Sequence, residues 1–100
     1  MGFPSAADDY LEGQLDFNGY LIKHPASTFV MKAKSNTLRE HGIWAGDILI
    51  IDRSLVPKEG RLVVAVIDGE FAIKPFNPRA MTPESSIEIW GVIAHVVHSF

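Results

Sequence analysis

The stretch "RLVVAVIDGEFAIKPF", residues 61–76, decides the fold. Two apolar, largely β-branched runs flank the dipeptide Asp68-Gly69. That dipeptide suits a tight type I′ turn, whose central positions need positive φ, and glycine adopts it without steric cost. The stretch therefore predicts an antiparallel hairpin. Working outward, "DILIID", residues 47–52, reads as a short buried strand. "STFVMKAK", residues 27–34, alternates, with Phe29 and Met31 on one side and Val30 and Lys32 on the other. "IEIWGVIAHVV", residues 87–97, reads as a last long strand, with Gly91 marking a bulge or a close backbone approach. Between hairpin and last strand, "NPRAMTPESS" holds two prolines and two serines and reads as a loop.

The N-terminal part differs. "GFPSAADD" is irregular, broken by Pro4, and residues 1–9 are expected to form a flexible arm. Gly13 and Gly19 weaken a long helix and Pro25 stops one, which leaves one short helix near residues 16–22. Strands dominate, so the chain is expected to be mostly β, a single domain over residues 1–100 with one short N-terminal helix.

Composition limits the functions open to it. A chain of 100 residues must place most of its apolar side chains in one core, and 47% hydrophobic content suffices. A formal net charge of -3 argues against a strong direct grip on nucleic acid, which needs a basic face. It leaves room for a partner that holds DNA. The absence of cysteine removes disulfide scaffolds, thiolate catalysis and cysteine zinc sites. "MGFPSAADDYLEG" lacks the basic start and apolar centre of a signal peptide, and Ala6 fills the hydroxyl position of a myristoylation pattern. No apolar run approaches the roughly 20 residues of a membrane span. The expectation is a soluble cytoplasmic protein without metal or cofactor.

Candidate chemistry centres on "KSNTLREHGIWAGD", residues 34–47, which offers the hydroxyls of Ser35 and Thr37, and on Lys74 at the end of "EFAIK". A lysine at a strand end ordinarily reaches solvent. The alternative is a lysine partly buried by Phe71, Ile73 and Phe76, whose amine loses its proton more readily and serves as a general base for a hydroxyl. The histidines offer less. His24 precedes a proline, His41 sits in a charged turn, and His95 and His98 face opposite sides of a strand. No histidine pair has the helical spacing of a zinc protease, and no glycine-rich phosphate loop is present. Asp8 and Asp9 read as a solvated start, Trp44 and Trp90 as core or interface anchors. On these patterns alone both readings of Lys74 stay open.

Four segments, in order, resemble the LexA/UmuD family of self-cleaving serine peptidases, its UmuD branch in particular. "GFPSAADDYLEGQLDFNGYLIKHPASTFVMKA" is similar to the start of the processed form in that branch, "GIWAGDILIIDRS" to the family's Gly-Asp segment, "DGEFAIK" to its catalytic-lysine hairpin and "WGVIAHVVHSF" to its final strand. The resemblance implies a catalytic domain of bent antiparallel sheets. It also implies that a serine attacks the chain's own N-terminal arm while a lysine takes the proton. The general base falls on Lys74. The nucleophile position, counted back from Gly42-Ile43, falls on Thr37. The motif's Gly-x-Ser-Met reads Ser35, Asn36, Thr37 and Leu38 here. The extra methyl of Thr37 stiffens χ1 and crowds the attack path, which predicts weak or absent peptidase activity.

Gly2 matches the residue that self-cleavage exposes, so the chain is expected to lack a scissile bond of its own. "PFNPRAMTPESS" is shorter than the family's segment there, which carries an extra strand. The role implied by the resemblance is that of the processed form. Such a protein is a homodimer that joins a Y-family polymerase catalytic subunit in damage-induced mutagenesis, with the RecA filament as a further partner. Two alternatives stand beside it: an active peptidase cutting in cis or in trans, and the dimerising fragment of a LexA-like repressor.

Overall fold

A computed structural model describes residues 13–36 and 38–100. The N-terminal arm expected at 1–9 and the candidate nucleophile Thr37 lie outside the described residues. Five strands form one antiparallel sheet: β1 (Thr28–Lys32), β2 (Ile48–Asp52), β3 (Leu62–Ile67), β4 (Glu70–Pro75) and β5 (Glu88–Val97), in the spatial order β1-β2-β5-β3-β4. A single-turn helix, α1 (Phe17–Leu21), precedes them. At its ends Tyr20 N–H donates to the Asp16 carbonyl and Ile22 N–H to that of Asn18, and Pro25 opens the next turn. The strands fall where the apolar runs place them, each trimmed by a residue or two at its ends.

The hairpin β3–β4 turns at Asp68, φ 51°, and Gly69, φ 81°, the two positive values that a type I′ turn demands. Its register pairs Val64 with Ile73 and Val63 with Lys74. Pro75 ends β4, an edge strand, where a missing N–H costs no ladder bond.

β5 bulges twice. Against β2, Ile50 faces His95 but Ile51 faces Ile93, so Ala94 is the extra residue. Against β3, Val64 faces Gly91 but Ala65 faces Ile89, so Trp90 is extra. Each bulge bends and twists the central strand, which explains a bent sheet. The glycine between the bulges is required by space. A Cβ at Gly91 would sit 2.7 Å from Ile51 Cγ2 and 3.3 Å from Arg53 Cγ. Ile51 is fully buried and cannot yield. Gly91→Ala is therefore expected to destabilise by about 1–3 kcal/mol through overpacking. An unchanged thermal midpoint would mean that β5 can part from β2 at no cost.

The sheet buries side chains on both faces at its centre. Leu49, Ile51, Val64 and Ile93 join Ala33 and Ile43 in one cluster, with Met31, Leu38, Leu62, Ile73 and Trp90 packed around it. Ile50, Val63, Ala65 and Val92 are also buried. Alternation puts Ile50 on the face opposite Leu49 and Ile51. Among the described residues no helix is long and apolar enough to cross a membrane.

Candidate active site

The connection from β1 to β2 folds back over the first face. Ala33 N–H donates to the Asp47 carbonyl at 2.9 Å and Gly46 N–H to that of Ala33 at 2.9 Å, which closes the loop's base. The Asn36 side-chain oxygen accepts from Ala45 N–H at 2.8 Å. The Leu38 carbonyl accepts from His41 at 2.9 Å and from Ile43 at 3.2 Å. Ile43, fully buried, and Leu38 then pin the loop to the sheet. Asn36 and Leu38, the immediate neighbours of position 37, are thus both anchored.

Beside this loop lies a cleft of about 490 Å³. Ala33, Ser35 and Leu38 form one wall, Ile51 and Val64 lie at its base, and Phe71, Ile73 and Lys74 form the other wall. The sheet order brings a loop next to β2 and the far edge strand onto one hollow, although roughly forty residues separate them. Ser35 and Leu38, which flank the candidate nucleophile position, share this cleft with Lys74.

Of the two readings of Lys74, the structure gives the solvent-reaching one. Lys74 is exposed, as is Phe71, while Ile73 and Phe76 are half-buried. The reason is topological: among the described residues β4 has no neighbour on its outer side, and its residues are covered by one strand only. The cleft is mainly apolar, and Lys74 shares its rim with Lys32 and Lys34.

Two histidines that looked unremarkable in the sequence have buried partners. At one end of β2, Asp47 accepts Trp44 N–H at 2.8 Å on Oδ2 and lies 2.5 Å from His98 Nδ1 on Oδ1. At the other, Asp52 lies 2.6 Å from His24 Nδ1 on Oδ2, while its Oδ1 accepts Ser54 N–H at 2.8 Å and Ser54 Oγ at 2.6 Å. These pairs tie β2 to the segment after β5 and to the segment before β1. A clue was present: "DILIID" carries an aspartate at each end of a buried run, and a buried carboxylate needs donors.

The Trp44 N–H holds the Asp47 carboxyl below the usual range, with burial opposing it and His98 assisting. For Asp52, burial pushes upward, but the Ser54 hydroxyl, the His24 ring and the Ser54 N–H outweigh it and hold the carboxyl at about 2. A carboxyl depressed on folding adds stability above its unfolded value, about 4, and loses it as pH falls through that window toward the folded value. The contribution is on the order of 1–2 kcal/mol. His24→Ala is expected to raise the acid-unfolding midpoint, because Asp52 then protonates more easily. Superimposable acid titrations of the two proteins would contradict this.

The tryptophans are half-open anchors. Trp90 lies between Phe29 and Phe71, with centroids at 5.1 and 5.3 Å, and the Arg53 guanidinium sits 4.5 Å from its ring. Trp44 remains 40% exposed under Arg39, at 4.3 Å.

Residues 1–88 match the Peptidase S24-like family model. The chain is 40% identical to Protein ImpA of Salmonella typhimurium, over 97% of the chain and 77% of that protein. Protein SamA of Salmonella typhimurium strain LT2 is 38% identical, over 97% of the chain and 78% of SamA. Protein MucA of Escherichia coli is 34% identical, over 94% and 75%. The ImpA alignment runs to 111 positions, more than the 100 residues of the chain, so ImpA carries residues with no counterpart here. With a family model matched over residues 1–88 and relatives of this kind matched over 94–97% of the chain, the chain belongs to the Peptidase S24-like family, the LexA/UmuD family.

Proposed function

We propose that the protein is an UmuD-type accessory subunit of a Y-family DNA polymerase, acting in the cytoplasm in SOS-induced mutagenesis as a homodimer. The similarity to ImpA, 40% over 97% of the chain, carries this reading. In this role the protein presents surfaces and performs no chemistry. The polymerase catalytic subunit holds the DNA, which accords with a net charge of -3, and the RecA filament is a further partner. The extent of the match to ImpA, SamA and MucA favours an accessory subunit over the dimerising half of a repressor. The decisive experiment is complementation of damage-induced mutagenesis in a strain lacking its own UmuD-type gene, together with the neighbouring polymerase gene. Restoration is expected with both genes and with neither alone. No restoration, with both proteins present, would count against the reading.

Exposed apolar groups support the dimer. Phe29 is 41% exposed, Val30 56% and Val96 36%, all on strands of the sheet. A symmetric dimer is the ordinary way for a small domain to cover such groups. Sedimentation is expected to give a dimer at tens of micromolar, an ordinary range for such interfaces. A monomer throughout would remove this part of the reading.

The cleft favours a second reading, a peptidase acting in trans on a full-length relative. The Thr37 hydroxyl would attack the scissile carbonyl carbon and pass its proton to Lys74 Nζ. The leaving amine would then take that proton, and water would release the acyl group. Its first requirement is a Thr37 hydroxyl within about 2.6–3.2 Å of Lys74 Nζ. An experimental structure with the amine turned away from that hydroxyl would dispose of it.

A further inference from the structure

On the sheet face away from the candidate cleft, a separate hollow of about 220 Å³ lies between α1, the end of β2 and β5. Leu21, Leu55 and Ala94 give it an apolar side, and Lys23, Arg61 and His24 a polar one, with His95 and Asp52 also at its wall. Among the described residues, neither the Lys23 ammonium nor the Arg61 guanidinium has an ion-pair partner, since the ion pairs found there all use histidine. Asp52 does not neutralise them. Its Oδ1 is taken by the Ser54 N–H and hydroxyl and its Oδ2 by His24 Nδ1. That bond also fixes the His24 ring and leaves Nε2 as its remaining polar atom. His95 is held by its ring contact with Tyr20, at a centroid distance of 5.6 Å.

We propose that this hollow binds a carboxylate carried on a short apolar stem. Two cations without an ion-pair partner among the described residues line one small hollow and favour an anion there. The guanidinium fork suits the two oxygens of a carboxylate, and the ammonium adds a point charge. The apolar side has nothing to offer a bare inorganic anion but can cover a carbon chain of a few atoms. By liquid volume the hollow holds about seven waters, enough for a small organic acid or for the last side chain and free carboxylate of a peptide. Lys23 and Arg61 are exposed and lie outside the buried core, so they can be altered without opening it.

The test is a titration of the intact chain followed by NMR, read at the His24 and His95 rings and the Ala94 methyl. Hexanoate and a tetrapeptide ending in leucine are compared with the same peptide amidated at its C-terminus and with inorganic phosphate. Saturable shifts confined to the hollow are expected with hexanoate or with the free-acid peptide. Which of these binds more tightly tells a small organic acid from a chain end. The Lys23→Met, Arg61→Met double variant, which keeps apolar stems, should weaken binding at least tenfold with an unchanged fold by the same spectra. Equal binding of the amidated peptide would overturn the proposal by making the hollow merely apolar. Phosphate binding as tight as hexanoate would overturn the need for a stem. No saturable shift with any carboxylate at tens of millimolar would end it.

Discussion

Mixed with a full-length relative that keeps its N-terminal arm, the unmodified chain is expected to leave that arm uncut. Thr37→Ser with Ser35→Gly is expected to bring cutting into view. The proposed assignment puts Thr37 in a position where the family uses serine. Threonine's methyl restricts χ1 and occupies space that the incoming carbonyl needs. A reacting oxygen displaced by about 1 Å costs roughly a hundredfold in rate. Serine alone removes the methyl. Glycine at 35 adds a second gain by letting the substrate backbone approach the wall of the cleft that Ser35 lines. The double variant should therefore exceed Thr37→Ser, by about tenfold or more if the approach is the larger obstacle. Lys74→Ala in the double variant should abolish the gain. Efficient cutting by the unmodified chain, lost on Lys74→Ala, would instead promote the trans-peptidase reading. A silent double variant would move the fault to the short segment that follows Lys74.

The strands were legible because their signals are local. Alternation, β-branching and the Asp68-Gly69 turn act within a few residues, and Gly91 marked the close approach of β5 to Ile51, one residue from a bulge at Trp90. The short helix was readable from Gly13 and Pro25, which bracket it, while Gly19 lies within it. What the sequence hid depends on strand order. Lys74 ordinarily reads as exposed, but a half-buried lysine stays open until β4 is known to be an edge. Likewise His98 and His24 have ordinary neighbours in sequence. Their carboxylate partners lie 51 and 28 positions away, and antiparallel pairing of β2 between β1 and β5 brings them close. The link from Lys74 to position 37 came from resemblance to a family. The shared cleft supports it through Ser35 and Leu38, the flanks of that position.

Asp47→Ala is expected to be among the most damaging single changes in the described part of the chain, at about 2–4 kcal/mol. Asp47 is 1% exposed and serves several contacts at once, its own N–H donating to the Trp44 carbonyl at 3.0 Å. Its carboxylate takes the Trp44 N–H and the His98 ring, and its backbone carbonyl takes the Ala33 N–H. Alanine keeps the backbone bond but deprives Trp44 N–H of its partner in a half-covered turn. It also frees the chain end from the start of β2. For a 100-residue domain with a total stability of about 5–15 kcal/mol, such a loss is a large fraction. His98→Ala should cost clearly less. The His98 side chain is 45% exposed and rehydrates when freed, and the Asp47 carboxylate keeps the Trp44 N–H. Asp47→Asn should fall between the two, because the amide oxygen can still accept from Trp44 while the charge that attracts His98 is gone. Denaturant unfolding of the three variants measures this order. If His98→Ala cost as much as Asp47→Ala, the stabilisation would lie in the contact with the chain end. In the arrangement described here it lies mainly in the carboxylate that caps the turn before β2.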